Sequence, residues 1–167
     1  MPGASRAWFE LIASRVAPST LRALEMPYLI DGNNLLGRAG LDRESSEAKR
    51  SLVRKLAALV RVRSTSIICI FDGPDPGNFA RSLGQVTVIF SGARSADDLI
   101  AERASRGQGW KVVTSDQQLA ARVAGRRVSI LDAREFLAEL DSLPVDREKG
   151  DEGDWQAWFN DPKNRNI

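Results

Sequence analysis

The sequence predicts an α/β protein: a three-layer α/β/α arrangement with a central, mainly parallel sheet of about five strands. Short apolar runs alternate with helical patterns from residue 27 to residue 140, and strands separated by helices imply right-handed crossovers within one sheet. The runs are apolar without a break, as in Ile67-Ile-Cys-Ile-Phe71, which suits strands buried on both faces. A chain of 167 residues with 43% hydrophobic content has the size of one domain around one core.

Residues 5–16 place Trp8, Leu11, Ile12 and Val16 at helical spacing, and Pro18-Ser-Thr stops the pattern. This predicts an amphipathic N-terminal helical extension over residues 1–26, packed on the body. A first strand over 27–30 ends in Asp31-Gly-Asn-Asn34, a turn signal. Residues 44–62 form a long helix with Leu52, Leu56, Leu59 and Val60 on one face, followed by a second strand over 66–71. Gly73-Pro-Asp-Pro-Gly77 turns the chain. A third strand over 85–90, a helix over 96–105, a fourth strand over 110–113 and a helix over 117–124 follow. A fifth strand over 127–131 and a closing helix over 132–140 complete a body spanning residues 27–144. Residues 145–167 form an acidic tail whose large apolar groups are Trp155, Trp158 and Phe159.

The chain has no histidine. That excludes imidazole acid/base catalysis, Ser-His-Asp or Cys-His hydrolysis, and His-ligated zinc. Cys69 is the single cysteine and lies inside an apolar strand, so it reads as a packed small hydrophobe. There is no apolar run of membrane-spanning length, and residues 1–10 lack the layout of a secretion signal, so a cytoplasmic protein with no membrane partner is expected. Residues 1–144 carry 20 basic against 16 acidic side chains, and residues 145–167 carry 4 against 6. A basic body suits a polyanionic partner, although arginine-rich helix faces are commonly just solvated. Arg50, Arg54, Lys55, Arg61 and Arg63 are the bases that would line a nucleic-acid path.

Four aspartates stand where apolar runs give way to turns or helices: Asp31, Asp72, Asp97 and Asp116. The carboxyl ends of parallel strands share one rim, so acids placed there converge although distant in sequence. Carboxylates gathered in one crevice take up protons unless a cation sits among them, and a divalent metal is the simplest such cation. Asp31 is followed by Gly32, which lets the backbone turn, and by Asn34, whose amide could donate to a phosphate. Ser95-Ala-Asp-Asp98 fits a helix start in which Ser95 caps and Asp98 complements the dipole, leaving Asp97 towards the rim. In Thr114-Ser-Asp116, Ser115 or Asp116 could equally cap the next helix. The catalytic set expected is therefore Asp31, Asp72, Asp97 and Asp116, with Asn34, Ser115 and Asp98 on the substrate side.

The order Leu29-Ile-Asp-Gly-Asn-Asn-Leu-Leu36, Phe71-Asp-Gly73, Ser95-Ala-Asp-Asp-Leu-Ile100 and Val113-Thr-Ser-Asp116 resembles the NYN-domain family, in particular its YacP-like branch, within the PIN-like nuclease superfamily. The resemblance spans residues 28 to 131. It implies a metal-dependent endoribonuclease in which Asp31, Asp97 and Asp116 hold Mg²⁺ or Mn²⁺, Asn34 matches the family's amide and Asp72 its acid after the second strand. It also implies single-stranded or messenger RNA as substrate and the ribosome as a partner. Gln118 stands where related flap-type nucleases carry a further acid. Two alternatives stay open: a catalytically weak RNA- or protein-binding module of the same fold, and a metal-dependent phosphatase. Against the phosphatase, Asn33 occupies the place where an Asp-x-Asp pair would need its second acid.

Overall fold

Tyr28–Asp31 forms β1, the strand on which the sheet is assembled. The computed structural model describes residues 26–106, 109–125 and 127–143. The tail over 145–167, and all but Met26 of the expected N-terminal extension, lie outside the described residues. After β1 come α1 (Gly32–Arg38), α2 (Ser46–Val62), β2 (Ile67–Phe71), β3 (Ser82–Leu83) and β4 (Val86–Phe90). Then follow α3 (Ala96–Ser105), β5 (Trp110–Val113), α4 (Gln117–Val123), β6 (Val128–Leu131) and α5 (Ala133–Ser142). The sheet order is β3-β4-β2-β1-β5-β6. All pairs are parallel except β3 with β4.

The chain builds outward from β1 to β2 and β4, then returns to the other side of β1 for β5 and β6. Ligand crevices in open α/β sheets lie at such a reversal, beyond the carboxyl ends of the strands. In this sheet the reversal falls between β1 and β5, where Ile30 pairs with Val113.

Strand pleating sorts the core into two layers. Tyr28, Ile30, Cys69, Phe71 and Val88 pack against Leu52, Leu56 and Leu59 of α2 and Phe136 of α5. Leu29, Ile70 and Val112 pack on the opposite face against Ile100 of α3 and Leu119 of α4. Asp31, two residues after Leu29, therefore emerges on the α3 and α4 side.

Predicted elements fall within two residues of the observed ones, and two elements were not expected. The Asp31-Gly-Asn-Asn34 turn continues as the seven-residue α1; Leu35 and Leu36, both buried, hold it to the core and override the poor helix propensity of Gly-Asn-Asn. The sixth strand is the two-residue β3, paired antiparallel through Leu83 and Val86. Among the described residues no helix is long and apolar enough to cross a membrane.

Gly32 is required by a close approach. A β-carbon there would stand 2.5 Å from the ring of Phe71 and 3.0 Å from the carbonyl oxygen of Ile70, and Phe71 is fully buried. Gly32→Ala should destabilise the protein by about 1–3 kcal/mol in urea unfolding. An unchanged midpoint would show that the ring can yield.

Candidate active site

Asp31 closes β1 with only 6% of its surface exposed. Its Oδ1 accepts the Asn34 backbone N–H at 3.0 Å, which caps α1. Burial pushes its carboxyl up to about 6; the Asn34 bond opposes the shift, and the charges of Asp97, Asp72 and Asp116 reinforce it. Asp97 lies in the first turn of α3, half-buried. Burial first, then the charges of Asp116 and Asp72, push its carboxyl upward, while Arg122 pulls it down. The four acids thus act on one another across one sheet edge, from four separate stretches of chain.

Backbone N–H groups hold three of these carboxylates. Asp72 follows β2, and its Oδ1 accepts the Ala96 N–H at 2.8 Å, fixing the helical turn that carries Asp97. Gly73, at φ +90°, turns the chain away immediately after Asp72, and its N–H donates to Ser91 Oγ at 3.2 Å. Asp116 caps α4, its Oδ1 accepting from Gln118 at 2.7 Å and Leu119 at 3.1 Å. Its own N–H donates to Thr114 Oγ1 at 3.0 Å. Among the described residues, the second oxygens of Asp31, Asp72 and Asp116 have no hydrogen-bond donor, and the Asp97 carboxylate has none at all.

This donor set fits a hard divalent cation: oxygen ligands carrying uncompensated negative charge, one of them buried at the strand end. The set is open. Among the described residues, no three acidic or thiol side chains close to metal-coordinating spacing, so a cation would complete its shell with water or substrate oxygens.

The expected substrate-side residues also make contacts that tie the surrounding turns and helices together. Asn34 Oδ1 accepts the Ser115 N–H at 3.0 Å, tying the turn after β1 to the turn after β5. Ser115 Oγ donates to Asp132 Oδ2 at 2.7 Å and accepts the Ala133 N–H at 3.2 Å, which extends the tie to the turn after β6. Asp98 pairs with Arg122 at 2.8 Å, joining α3 to α4, and that contact holds its carboxyl below the usual range. Sequence reasoning passed over Asp132 and Arg122. Leu131-Asp132 repeats the pattern of an acid at a strand end and could have been found, whereas Arg122 carries no signal beyond its charge.

The raised carboxyl of Asp31 has a signed consequence for stability. Its folded value lies near 6, above the ordinary 3.8, so the folded state holds the proton longer. Stability is therefore lost as pH rises through that window. In EDTA at pH 7, Asp31→Asn, which can still cap α1, should be about 1–3 kcal/mol more stable than the parent. The difference should vanish near pH 4. Equal stabilities at both pH values would contradict an uncompensated carboxylate.

Residues 28–159 match the family model of the YacP-like NYN domain. Two solved structures of Rae1 (YacP) from Bacillus subtilis are similar to the chain. One is 27% identical with a TM-score of 0.59, covering 70% of this chain and 74% of that one. The other, a tryptophan-to-leucine point mutant of the same protein, is 26% identical with a TM-score of 0.58, covering 71% and 76%. No curated protein matches. With the family model matching from β1 to beyond α5, and the same fold in both solved structures, the chain belongs to the YacP-like NYN domain family, a PIN-like nuclease fold of broad ribonuclease class.

Proposed function

We propose that the acidic rim is the centre of a metal-dependent endoribonuclease, in which Asp31, Asp97 and Asp116 hold Mg²⁺ or Mn²⁺. The observation that carries this reading is the Asp31 carboxylate, set among three further acids and held high by burial and by their charge. NYN and PIN-like nucleases generally use divalent metals, which agrees with the chemistry of these oxygens. Bound there, the ion would supply Lewis-acid stabilisation of the phosphodiester and a more acidic water for attack. Asp31 and Asp116, at the ends of the two strands flanking the sheet reversal, would hold it through their free oxygens. Asp72 positions Asp97 by anchoring the Ala96 N–H. The Asn34–Ser115–Asp132 tie keeps the turns around the rim in fixed relation.

Single-stranded RNA, including messenger RNA met on the ribosome, is the substrate class this reading takes from the family. With no histidine in the chain, this reading assigns the proton of the leaving oxygen to water, and the products would carry 5′-phosphate and 3′-hydroxyl ends. Mapped 2′,3′-cyclic phosphate ends would contradict the mechanism.

One observation favours the runner-up, a binding module of the same fold: among the described residues the carboxylates do not close to coordinating spacing. Retained RNA binding with unchanged RNA length in Mn²⁺ would decide for it.

Asp116→Asn keeps the shape and the cap while removing a charge. RNA cleavage in Mn²⁺, followed by gel with an EDTA control, should fall about 100-fold or more, equivalent to roughly 3 kcal/mol of transition-state stabilisation. Undiminished cutting by this variant would show that the rim is not the centre.

A further inference from the structure

Lys49 lies in the first turn of α2, after the cap Ser45, and only 7% of its surface is exposed. A cation is poorly placed there, since burial strips its hydration and the N-terminal end of a helix is itself positive. Among the described residues the Lys49 ammonium makes no ion pair and lies over two rings, 5.7 Å from the centre of Phe71 and 5.8 Å from that of Phe90. The next residue, Arg50, places its guanidinium 5.7 Å over Phe79. The three rings form one cluster, Phe71 to Phe90 at 5.7 Å and Phe79 to Phe90 at 5.3 Å.

Two other bases of α2 have carboxylate partners. Arg54 pairs with Glu47 and Lys55 with Asp141, each at 2.8 Å. Lys49 and Arg50 are held on aromatic faces instead, which fixes their position; among the described residues neither pairs with a carboxylate. Lys49 keeps 7% of its surface exposed, so the residue is not sealed from solvent.

The cluster lies beside the acidic rim. Phe71 and Phe90 are register partners at the ends of β2 and β4, and Asp72 follows Phe71 directly. The Phe71 ring also abuts Gly32, the residue after Asp31, so the same ring touches the Asp31 turn and lies under the Lys49 ammonium. A polyanion approaching four carboxylates is repelled, and its attraction must come from cations nearby.

We propose that Lys49 and Arg50 form a phosphate subsite that holds the RNA strand beside the rim, on the α2 face of the sheet. This rests on the ribonuclease reading and adds residues to it. A lysine supplies a point charge for a phosphate oxygen, and an arginine can grip two such oxygens.

The test is equilibrium binding of a fluorescent single-stranded RNA oligonucleotide to the full chain in EDTA, across a range of KCl, with Mn²⁺ cleavage assayed in parallel. Lys49→Met preserves contact with the rings, since a thioether packs on aromatics. It should weaken binding by about 10-fold and reduce the salt slope by about 0.7, the loss of one phosphate contact on a single strand. Lys49→Arg should restore most of the slope, and Arg106→Gln, at the end of α3 away from the rim and paired with Glu102, should leave it unchanged. Should Lys49→Met fail to fold by circular dichroism, Arg50→Gln should show the same reduced slope. A folded Lys49→Met or Arg50→Gln with the parent's affinity and slope would overturn the subsite alone. A parent that shows the Lys49-dependent slope yet never cuts RNA would overturn the ribonuclease reading and leave the subsite standing. A parent that neither binds nor cuts would overturn both.

Discussion

Like charges forced together at one sheet edge are the constraint on which the rest of this structure depends. Asp31 is buried where β1 ends, and Asp97, Asp72 and Asp116 all press on it electrostatically. What keeps the group in place is backbone hydrogen bonding from behind, with N–H groups of Asn34, Ala96, Gln118 and Leu119 each directed at a carboxylate oxygen. Such charge-assisted bonds are stronger than neutral ones. They let the fold carry repulsion that a divalent cation would then relieve.

The same bonds explain why the acids stand at the ends of strands. A carboxylate that caps a helix uses one oxygen, and the other is left for the rim. Asp116 therefore caps α4 while its charge acts on Asp97, so capping does not take the side chain away from the rim. Asp72 does the same for α3 from a distance of 24 residues along the chain. The parallel sheet makes this simple to build, because the strand ends on either side of its reversal are already neighbours.

The strands were legible because their apolar runs are continuous, and α2, α3 and α5 because their caps and spacing agree. The short α1 was hidden by Gly-Asn-Asn, which reads as a turn until Leu35 and Leu36 find the core. β3 is too short to carry a period. At the rim, the pattern of acids after strands identified a group whose members do interact. The partners of Asn34, Ser115 and Asp98 could not be read. Each is chosen by tertiary proximity, as with the Ser115 N–H, 81 residues from the Asn34 oxygen that it meets. Lys49 was equally silent, since a lysine in a helix says nothing about burial until the rings of Phe71 and Phe90 are placed around it.

Anomalous diffraction from crystals soaked in Mn²⁺ measures the central claim most directly. A shared cation predicts a peak about 2.1 Å from free carboxylate oxygens of Asp31, Asp97 and Asp116, lost in the Asp97→Asn variant. A saturating soak with no density between these acids, or a manganese ion bound only elsewhere on the surface, would contradict it.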